Sequence, residues 1–269
     1  MKILLVGDIV GKPGVEFCVR TLPGLRRRES IDVIIANGEN ADAGSGITQS
    51  LYKRLKNNAG VDCITLGDHA YRKREIFETL DSQSDIIRPA NFPNSAPGRG
   101  LMVGKFFGQP VAIINLIGRV FMKPVDCPFL KADQLLEQLD ENIKIRIIDF
   151  HAEATSDKQV MGRYLDGRVS AVLGTHTHVA TADEQILPGG TAFQCDVGMT
   201  GSFESILGRV IENVVSTTIS LVPSTFHVAE RDVQLSGTIV EIDETTGLAS
   251  SIRRVRIDEE NACDLDDFN

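Results

Sequence analysis

Short apolar runs alternate along the chain with segments that have the spacing of helices. The runs are rich in β-branched residues and are apolar at successive positions, as in strands that are buried on both faces. They predict strands at 3–6, 33–36, 63–66, 111–116, 145–149 and 169–173. Helical spacing predicts helices at 15–28, 48–58, 75–80, 132–139 and 158–165. This alternation predicts an α/β fold.

The rest of the chain is predicted to add strands and loops to this fold. Further strands are expected at 225–228, 237–242 and 252–257. Residues 91–104 are rich in Pro, Gly and Asn and are interpreted as a loop. Because no internal repeat, linker or low-complexity tract divides the chain, we predict one domain over 1–257. Residues 258–269 are acidic and are expected to fray.

Polar side chains that can bind a metal follow five of the predicted strands, at the point where each strand ends. In an open α/β sheet the carboxyl ends of the strands form the ligand crevice, so these side chains are expected to surround one pocket. The candidates are Asp8, Glu39, Asn40, Asp68, His69, His151, His176 and His178. Four of the five histidines of the chain lie at these ends, which indicates a functional cluster rather than random scatter.

Each position also has a plain structural interpretation. Gly-Asp at a strand end is common turn chemistry, Asn can cap a loop, and a single histidine can be hydrogen-bonded within the core. The pair His176 and His178 is more informative, because residues two apart on an extended segment share a face and can reach one centre. Considered together, the strand-end residues favour a metal site.

The ligand types indicate which metals would bind. The set combines carboxylate, carboxamide and imidazole groups without a thiolate, which suits Mn, Fe or Zn better than Ca. Seven ligands, the set without His69, are too many for one ordinary ion and suit two ions that share a bridging carboxylate. We therefore expect two divalent metal ions per chain. Ligand type alone does not separate Mn, Fe and Zn, and we expect Fe or Mn rather than Zn.

Charge and cysteine content limit the location and the partners. The chain has 28 basic and 37 acidic residues and a formal net charge of −9, which disfavours a broad electrostatic contact with nucleic acid. No apolar stretch approaches the ~20 residues of a membrane span, and the N-terminus lacks the features of a signal peptide. Five widely spaced cysteines without a CxxC pair indicate a reducing compartment, so a cytoplasmic location is expected.

Several longer stretches carry a family resemblance that runs from residue 1 to about residue 257. They are GDIVGKPG at 7–14, IANGENADAGSGIT at 35–48, LGDHAYRKREI at 66–76, RPANFP at 88–93, INLIGRVFM at 114–122, DFHAEATSDK at 149–158, GTHTHV at 174–179 and DVGMTG at 196–201. With these stretches the chain resembles the calcineurin-like metallophosphoesterases, and among them the YmdB family of bacterial phosphodiesterases. The resemblance implies a sandwich of mixed β-sheets flanked by helices, with a metal site at the carboxyl ends of the strands.

The resemblance also implies a role for each candidate residue. The ligands that it implies for one ion are Asp8, Glu39, Asn40 and His178. Those that it implies for the second ion, besides a bridging Glu39, are Asp68, His151 and His176. His69 matches the catalytic histidine of the family motif.

The chain departs from the family motif beside this histidine. The family reads Gly-Asn-His where this chain has Gly-Asp-His at 67–69, and it has Trp-Asp at the positions of Tyr71 and Arg72. Asp68 can still bind metal through a carboxylate oxygen, but its extra charge weakens the ions as Lewis acids and favours harder ions. Two alternatives stay open: Asp68 bridges the ions in place of Glu39, and Arg72 contacts phosphate instead of solvent.

The activity that the resemblance implies is hydrolysis of phosphodiesters, with 2′,3′-cyclic nucleotides as a substrate class. We expect a small phosphodiester or nucleotide to be cleaved by a metal-activated hydroxide while His69 assists the leaving oxygen. Two alternatives use the same fold: a regulatory protein that binds a nucleotide or a partner with little turnover, and a phosphomonoesterase or 5′-nucleotidase. Stable binding of duplex nucleic acid or of a membrane is not expected, and a homo-oligomer is left open.

Overall fold

The computed structural model describes residues 1–265 and contains two mixed β-sheets with helices on their outer faces. The helices are α1 (Gly11–Glu29), α2 (Gln49–Asn57), α3 (Ile76–Ser82), α4 (Pro128–Gln138), α5 (Thr155–Tyr164), α6 (Ile211–Ser220) and α7 (Glu259–Cys263). The strands of the first sheet are β1 (Lys2–Val6), β2 (Asp8–Ile9), β3 (Val33–Asn37), β4 (Cys63–Thr65), β5 (Ile86–Ile87), β12 (Met199–Ser202), β13 (Val233–Ile242) and β14 (Ala249–Ile257). Those of the second are β6 (Leu101–Phe106), β7 (Gln109–Ile117), β8 (Ile145–His151), β9 (Ala171–Thr175), β10 (Gln185–Ile186) and β11 (Ala192–Gln194).

No helix among residues 1–265 has both the length and the apolar character that a membrane span requires.

The first sheet has a parallel half and an antiparallel half. Strands β1, β3, β4 and β5 lie parallel, with Ile3 opposite Val33 and Ile35 opposite Cys63. On the other side β1 pairs antiparallel with β13, which also pairs with β12 and β14. The sheet therefore joins strands from both ends of the described chain, and the segment between them forms the second sheet.

The second sheet is parallel in its centre and antiparallel at its edges. Strands β7, β8, β9 and β11 lie parallel, while β6 and β10 pair antiparallel with their neighbours. The register places Ile117, His151 and Thr175 side by side. The carboxyl ends of β7, β8 and β9 are therefore level with one another.

The core consists of three apolar layers. The two sheets pack face to face through residues such as Leu5 and Ile147. The outer face of the first sheet packs its Leu4 with Leu22 of α1, and the outer face of the second packs against Met161 of α5. Because the central strands are buried on both faces, their sequences are continuous apolar runs. The predicted α/β sandwich of mixed sheets with flanking helices is confirmed.

The strand ends bring the candidate residues of both sheets to one edge of this sandwich. The first sheet contributes, after β1, β3 and β4, the residues Asp8, Glu39, Asn40, Asp68 and His69. The second sheet contributes the last residue of β8 and two residues after β9, namely His151, His176 and His178. A centre that uses all of these side chains is shared between the two sheets.

The interpretation of 91–104 as a loop is wrong at its end, because β6 begins at Leu101. Met102 and Phe106 pack against the core between the sheets, whereas Val103 and Lys105 are exposed. Gly104 interrupts this alternation in the sequence, which conceals an edge strand that is buried on one face only.

The strand predicted at 225–228 is also wrong. In the described chain this segment makes only an isolated bridge between Val228 and Arg209, and Phe226 and His227 are exposed. Helix α6, which precedes it, was not predicted, and none of its side chains is buried. Both errors have one cause: a segment that faces solvent need not follow the periodicity that a core imposes.

The beginning of the acidic tail is more ordered than expected. Helix α7 starts after Asp258, whose carboxylate accepts a hydrogen bond from the backbone N–H of Asn261 at 2.8 Å. Leu265 is fully buried and lies against Gly24 of α1. Residues 258–265 therefore contain a short helix packed on the fold, and residues 266–269 lie outside the described part of the chain.

Candidate metal centre

Four side chains from both sheets converge at the centre of the site. Their ligand atoms lie within 4.8 Å of one another, and they are Glu39, Asp68, His151 and His176. Nε2 of His151 lies 3.1 Å from Oε1 of Glu39 and 3.4 Å from Oδ1 of Asp68. Nδ1 of His176 lies 3.0 Å from the same nitrogen. Two carboxylates and two imidazoles in this arrangement suit a divalent transition-metal ion.

A second group of candidate ligands adjoins Glu39. Nδ2 of Asn40 lies 3.4 Å from Oε1 of Glu39 and 3.2 Å from Nε2 of His178. The same nitrogen of His178 lies 3.9 Å from Oδ1 of Asp8. The structure thus brings the predicted ligands together as two groups that meet at Glu39.

His69 lies beside both groups. Its Nδ1 hydrogen-bonds to Oδ1 of Asn40 at 2.7 Å, and its backbone N–H donates to Oε2 of Glu39 at 2.9 Å. Because an amide oxygen only accepts, Nδ1 carries the hydrogen in this contact. The other ring nitrogen, Nε2, lies 3.6 Å from Oδ2 of Asp68. The side chain is 24% exposed, so a molecule bound at the site can reach it.

The turn after β4 requires a glycine. A Cβ atom on Gly67 would lie 2.2 Å from Nε2 of His151 and 2.5 Å from Oε2 of Glu39. Both distances are far inside van der Waals contact, so any side chain here would displace the ligand atoms. The Gly-Asp sequence at this strand end therefore serves the site and not only the turn.

His176 and His178 do not share a face as expected, because the segment turns instead of extending. Their φ angles are +102° and +65°, in a region that residues other than glycine rarely adopt. As a result Nδ1 of His176 faces the first group of ligands and Nε2 of His178 faces the second. The prediction that both imidazoles reach one centre is corrected: each contacts its own group.

A buried ion pair holds this strained turn in place. Nζ of Lys158, on α5, lies 2.7 Å from Oδ2 of Asp196, and both side chains are almost fully buried. The same oxygen accepts hydrogen bonds from the backbone N–H and from Oγ1 of Thr177, at 3.0 and 2.8 Å. Because Thr177 lies between the two histidines, the pair helps to fix the direction of both imidazoles. Asp196 begins the DVGMTG stretch, but nothing in the sequence alone indicates this role.

The second group contains a buried carboxylate with a raised pKa. Asp8 is fully buried, and burial raises its pKa to about 7. The charge of His151 opposes this rise, whereas the negative charges of Asp196 and Glu39 add to it. Among the described residues, Oδ1 of Asp8 has no hydrogen-bond partner. An orphaned buried carboxylate oxygen is costly, and a metal ion would supply the missing charge.

Most of the other candidate ligands have the protonation state that metal binding needs. Burial lowers the pKa of His176 to about 4, and burial also lowers the pKa of His178. Burial alone would raise the pKa of Glu39 and of Asp68, but interactions with His151 outweigh it and hold both pKa values below their usual range. Neutral imidazoles and ionised carboxylates are the forms that bind metal, so these residues fit divalent ions.

His151 differs from the other two imidazoles. Burial lowers its pKa, but the charge of Glu39 and the hydrogen bonds to Asp68 and Glu39 outweigh burial and raise the pKa well above its usual range. A protonated His151 therefore neutralises the carboxylates around it in the way that a bound cation would.

Comparison with known proteins identifies the family. The family described as YmdB-like protein matches residues 4–255, which is nearly the whole chain. The chain belongs to the YmdB-like family. A relative from Bacillus subtilis (strain 168), named 2′,3′-cyclic-nucleotide 2′-phosphodiesterase, is 45% identical over 261 residues, which are 97% of this chain and 98% of the relative. The resemblance stated above is confirmed, and the chain is a hydrolase, as predicted.

Solved structures agree with this membership. A hypothetical protein from Thermus thermophilus is 38% identical with a TM-score of 0.91, over 96% of this chain and 100% of that chain. A structure described as a novel phosphatase from Mycoplasma pneumoniae is 33% identical with a TM-score of 0.90, over 96% of this chain and 93% of that chain. A 5′-nucleotidase from Candida albicans, at 13% identity and a TM-score of 0.60 over 100% of this chain and 53% of that chain, shares the fold alone.

In this YmdB-like chain a hydrogen-bonded relay orients His151. Oγ1 of Thr175 donates to Oδ1 of Asp149 at 2.8 Å and lies 2.9 Å from Nδ1 of His151. Because the hydroxyl hydrogen is used on Asp149, the oxygen accepts from Nδ1–H of His151. The relay therefore directs Nε2 toward the candidate ligands and gives Asp149 a positioning role.

Glu153 orients His176 in a similar way, although it is not among the residues predicted from the sequence. Its Oε2 lies 3.1 Å from Nε2 of His176, while Nδ1 of that histidine faces the first group of ligands. A carboxylate that accepts from Nε2–H leaves Nδ1 unprotonated and able to bind metal. The only signal in the sequence was its position inside the DFHAEATSDK stretch.

Replacing Glu153 by alanine is expected to weaken metal binding by about 10- to 100-fold, because His176 loses the acceptor that fixes its tautomer. Calorimetric titration of the metal-free protein with Mn²⁺ measures the effect. Glu153→Gln keeps an acceptor oxygen and should retain most of the affinity. Glu212→Ala, an exposed acidic residue on α6, is the matched control. Wild-type affinity in Glu153→Ala would show that the contact has no part in metal binding.

Proposed function

We propose that this chain is a dinuclear metal-dependent phosphodiesterase that hydrolyses 2′,3′-cyclic nucleotides. The observation that carries the proposal is the pair of ligand groups that meet at Glu39. Two-metal sites of this kind suit in-line displacement at phosphorus, because they hold both the attacking and the leaving oxygen. The name of the Bacillus subtilis relative supports the substrate class.

The proposed ligands follow the two groups. One ion is assigned to Asp8, Asn40 and His178, and the other to Asp68, His151 and His176. Glu39 is proposed as the bridge, because it contacts Asn40 in one group and His151 in the other. When bound, the ions supply positive charge that neutralises the phosphate and lowers the pKa of water.

His69 is the proposed general acid. Its Nδ1 is engaged with Asn40, so Nε2 is the atom that can give a proton to the substrate. A carboxylate oxygen of Glu39 lies 3.6 Å from Nδ1 of His69, and one of Asp68 lies 3.6 Å from Nε2. As a water oxygen bonds to phosphorus, the bond from phosphorus to one ribose oxygen breaks, and Nε2 transfers its proton to that oxygen. The proton released by the water restores the protonated form of His69.

The residues that depart from the family motif fit this proposal. Asp68 contacts His151 and His176, so it is proposed as a ligand of one ion rather than as the bridge. Arg72 is exposed, and we propose that it faces solvent. We also propose that the ions are Fe or Mn rather than Zn, that the protein is cytoplasmic, and that a homo-oligomer is an open alternative.

A hydrolysis assay tests the proposal. Metal-stripped protein is reloaded with Mn²⁺, Fe²⁺ or Zn²⁺ and given a 2′,3′-cyclic nucleotide, bis-p-nitrophenyl phosphate and a simple phosphomonoester. Metal-dependent cleavage of the two diesters, with two ions bound per chain, is the expected result. Absence of cleavage with both ions bound would contradict the proposal and favour the regulatory alternative.

A phosphomonoesterase is the second candidate function. It is favoured by the description of the 33% identical Mycoplasma pneumoniae structure as a phosphatase. Both reactions use the same positive charge around phosphorus, so the site alone does not separate them. Faster cleavage of the monoester than of either diester in the same assay would select this function.

A further inference from the structure

Two phenylalanine rings project into solvent at opposite ends of strand β7. Phe107 precedes the strand and is 82% exposed, and Phe121 follows it and is 87% exposed. Both have left-handed backbones, with φ angles of +48° and +62°. A large aromatic residue rarely adopts this conformation. A ring that is almost fully exposed to water also receives little hydrophobic stabilisation from the fold. Each position therefore needs a physical explanation.

The hairpin between β6 and β7 explains Phe107. Phe106 pairs with Gln109, so Phe107 and Gly108 form a two-residue loop. Such loops favour positive φ at both central residues, and Gly108 has φ +89°. The backbone of Phe107 is thus a consequence of turn geometry. Phe121 lies in no hairpin, but it is the third residue of a turn in which the backbone N–H of Met122 donates to the carbonyl oxygen of Arg119 at 3.3 Å. Turns of this kind allow positive φ at the third residue, so the turn accounts for the backbone of Phe121 and leaves only the exposure of its ring to be explained.

Phe121 lies on the metal-centre side of the sheet. The backbone N–H of Gly118, at the end of β7, donates to the carbonyl oxygen of the candidate ligand His151 at 2.9 Å. Three residues span at most roughly 11 Å, which places the Phe121 backbone within that distance of Gly118. Phe107 is separated from this end by the nine residues of β7, a length of about 30 Å.

The loop that carries Phe121 is anchored on both sides. Oδ2 of Asp157 accepts hydrogen bonds from the backbone N–H groups of Arg119 and Val120, each at 3.1 Å. At the far end of the loop, Nδ2 of Asn91 donates to the carbonyl oxygen of Asp126 at 2.9 Å. The exposed ring is therefore presented by a fixed loop and not by a free one.

We propose that Phe121 is a specificity-determining residue that stacks on the nucleobase of the substrate. This inference rests on the proposed function, since only a nucleotide brings a base to the site. The base extends from the ribose away from the cyclic phosphate, so a platform is needed beside the phosphate site and not within it. An anchored, exposed aromatic face at that distance supplies one. Every base has a π-face and can stack on an aromatic ring, so we expect the protein to show little preference among the four bases.

The test compares two substrates that differ only in the base. In Phe121→Gly, kcat/KM for 2′,3′-cyclic AMP is expected to fall by roughly 5- to 150-fold, the range that base–aromatic stacking supplies, mainly through KM. Cleavage of ribose 2′,3′-cyclic phosphate, which lacks the base, should be unchanged. Glycine is chosen because it accepts positive φ, so the loop keeps its conformation. Phe121→Trp should restore cleavage of the nucleotide.

Phe107→Gly is the matched control, because it removes an equally exposed ring with the same backbone conformation from the opposite end of β7. It should change neither substrate. An equal loss on both substrates in Phe121→Gly would overturn the proposal and assign the loop to positioning of His151. No loss on either would show that the ring does not contact the substrate.

Failure of the proposed function is distinguishable from failure of this inference. If the wild type cleaves neither substrate, calorimetric binding of 2′,3′-cyclic AMP to metal-loaded protein still tests the stacking. Binding that is weakened in Phe121→Gly and intact in Phe107→Gly supports the platform without turnover. Equal binding by wild type and Phe121→Gly, or no binding by either, overturns it.

Discussion

Replacement of His69 by alanine is expected to lower turnover of a 2′,3′-cyclic nucleotide by about 10²–10⁴-fold while metal content stays unchanged. The imidazole belongs to neither ligand group, and its proposed contribution is the proton that Nε2 gives to the leaving ribose oxygen. Steady-state kcat with saturating Mn²⁺, together with metal analysis of the same sample, measures both parts of the prediction.

The leaving group provides a sharper readout of the same variant. p-Nitrophenolate leaves without protonation, so cleavage of bis-p-nitrophenyl phosphate should fall much less than cleavage of the cyclic nucleotide in His69→Ala. His227→Ala, which removes an exposed histidine outside the site, is the control and should cleave both substrates normally. Equal losses on the two substrates, or a loss of bound metal, would rule out a role as general acid.

Replacement of Lys158 by methionine is expected to lower the free energy of unfolding by about 3–5 kcal/mol, because it leaves Asp196 as a buried carboxylate without a cation. The charge lies 2.7 Å from its partner in the wild type, and both side chains are almost fully buried. Urea denaturation of the metal-free protein measures the loss. Weaker metal binding should accompany it, because Asp196 also holds Thr177 between the two ligand histidines.

Arg54→Met is the matched control for this variant. Arg54 and Glu16 form an ion pair of similar length, 2.5 Å, but both side chains are more than 40% exposed. Solvent-exposed pairs contribute about 0–1 kcal/mol, so the control should remain close to the wild type. A loss in Lys158→Met no larger than that of the control would mean that the buried pair does not stabilise the fold.

The central strands and the candidate ligands could be predicted because they have local signals. Burial on both faces produces continuous apolar runs, as in β3 and β8, and the residues that end such runs are easily recognised. Asp8 and His151 were found in this way. The family resemblance then separated the residues into two ligand sets, which the spacing of the residues alone did not do.

The residues that position the ligands could not be predicted, because their partners are distant in the sequence. Lys158 and Asp196 are 38 residues apart and meet only when α5 packs on the second sheet. Glu153 is half-exposed and looks like any surface carboxylate until His176 is placed beside it. The turn at His176 was misread as extended for the same reason: its conformation depends on Asp196 and Asp8, which contact it from elsewhere in the chain.

The division of the proposed ligands between the two sheets links metal loading to the docking of the layers. Every carboxylate and carboxamide ligand follows a strand of the first sheet, and every imidazole ligand belongs to the second. Neither layer alone offers the proposed mixed set of ligands, so we expect the ions to bind the assembled form and to stabilise it by mass action. On this proposal, a molecule whose layers have separated is expected to lose its metals at the same step, so that only folded chains would hydrolyse the substrate.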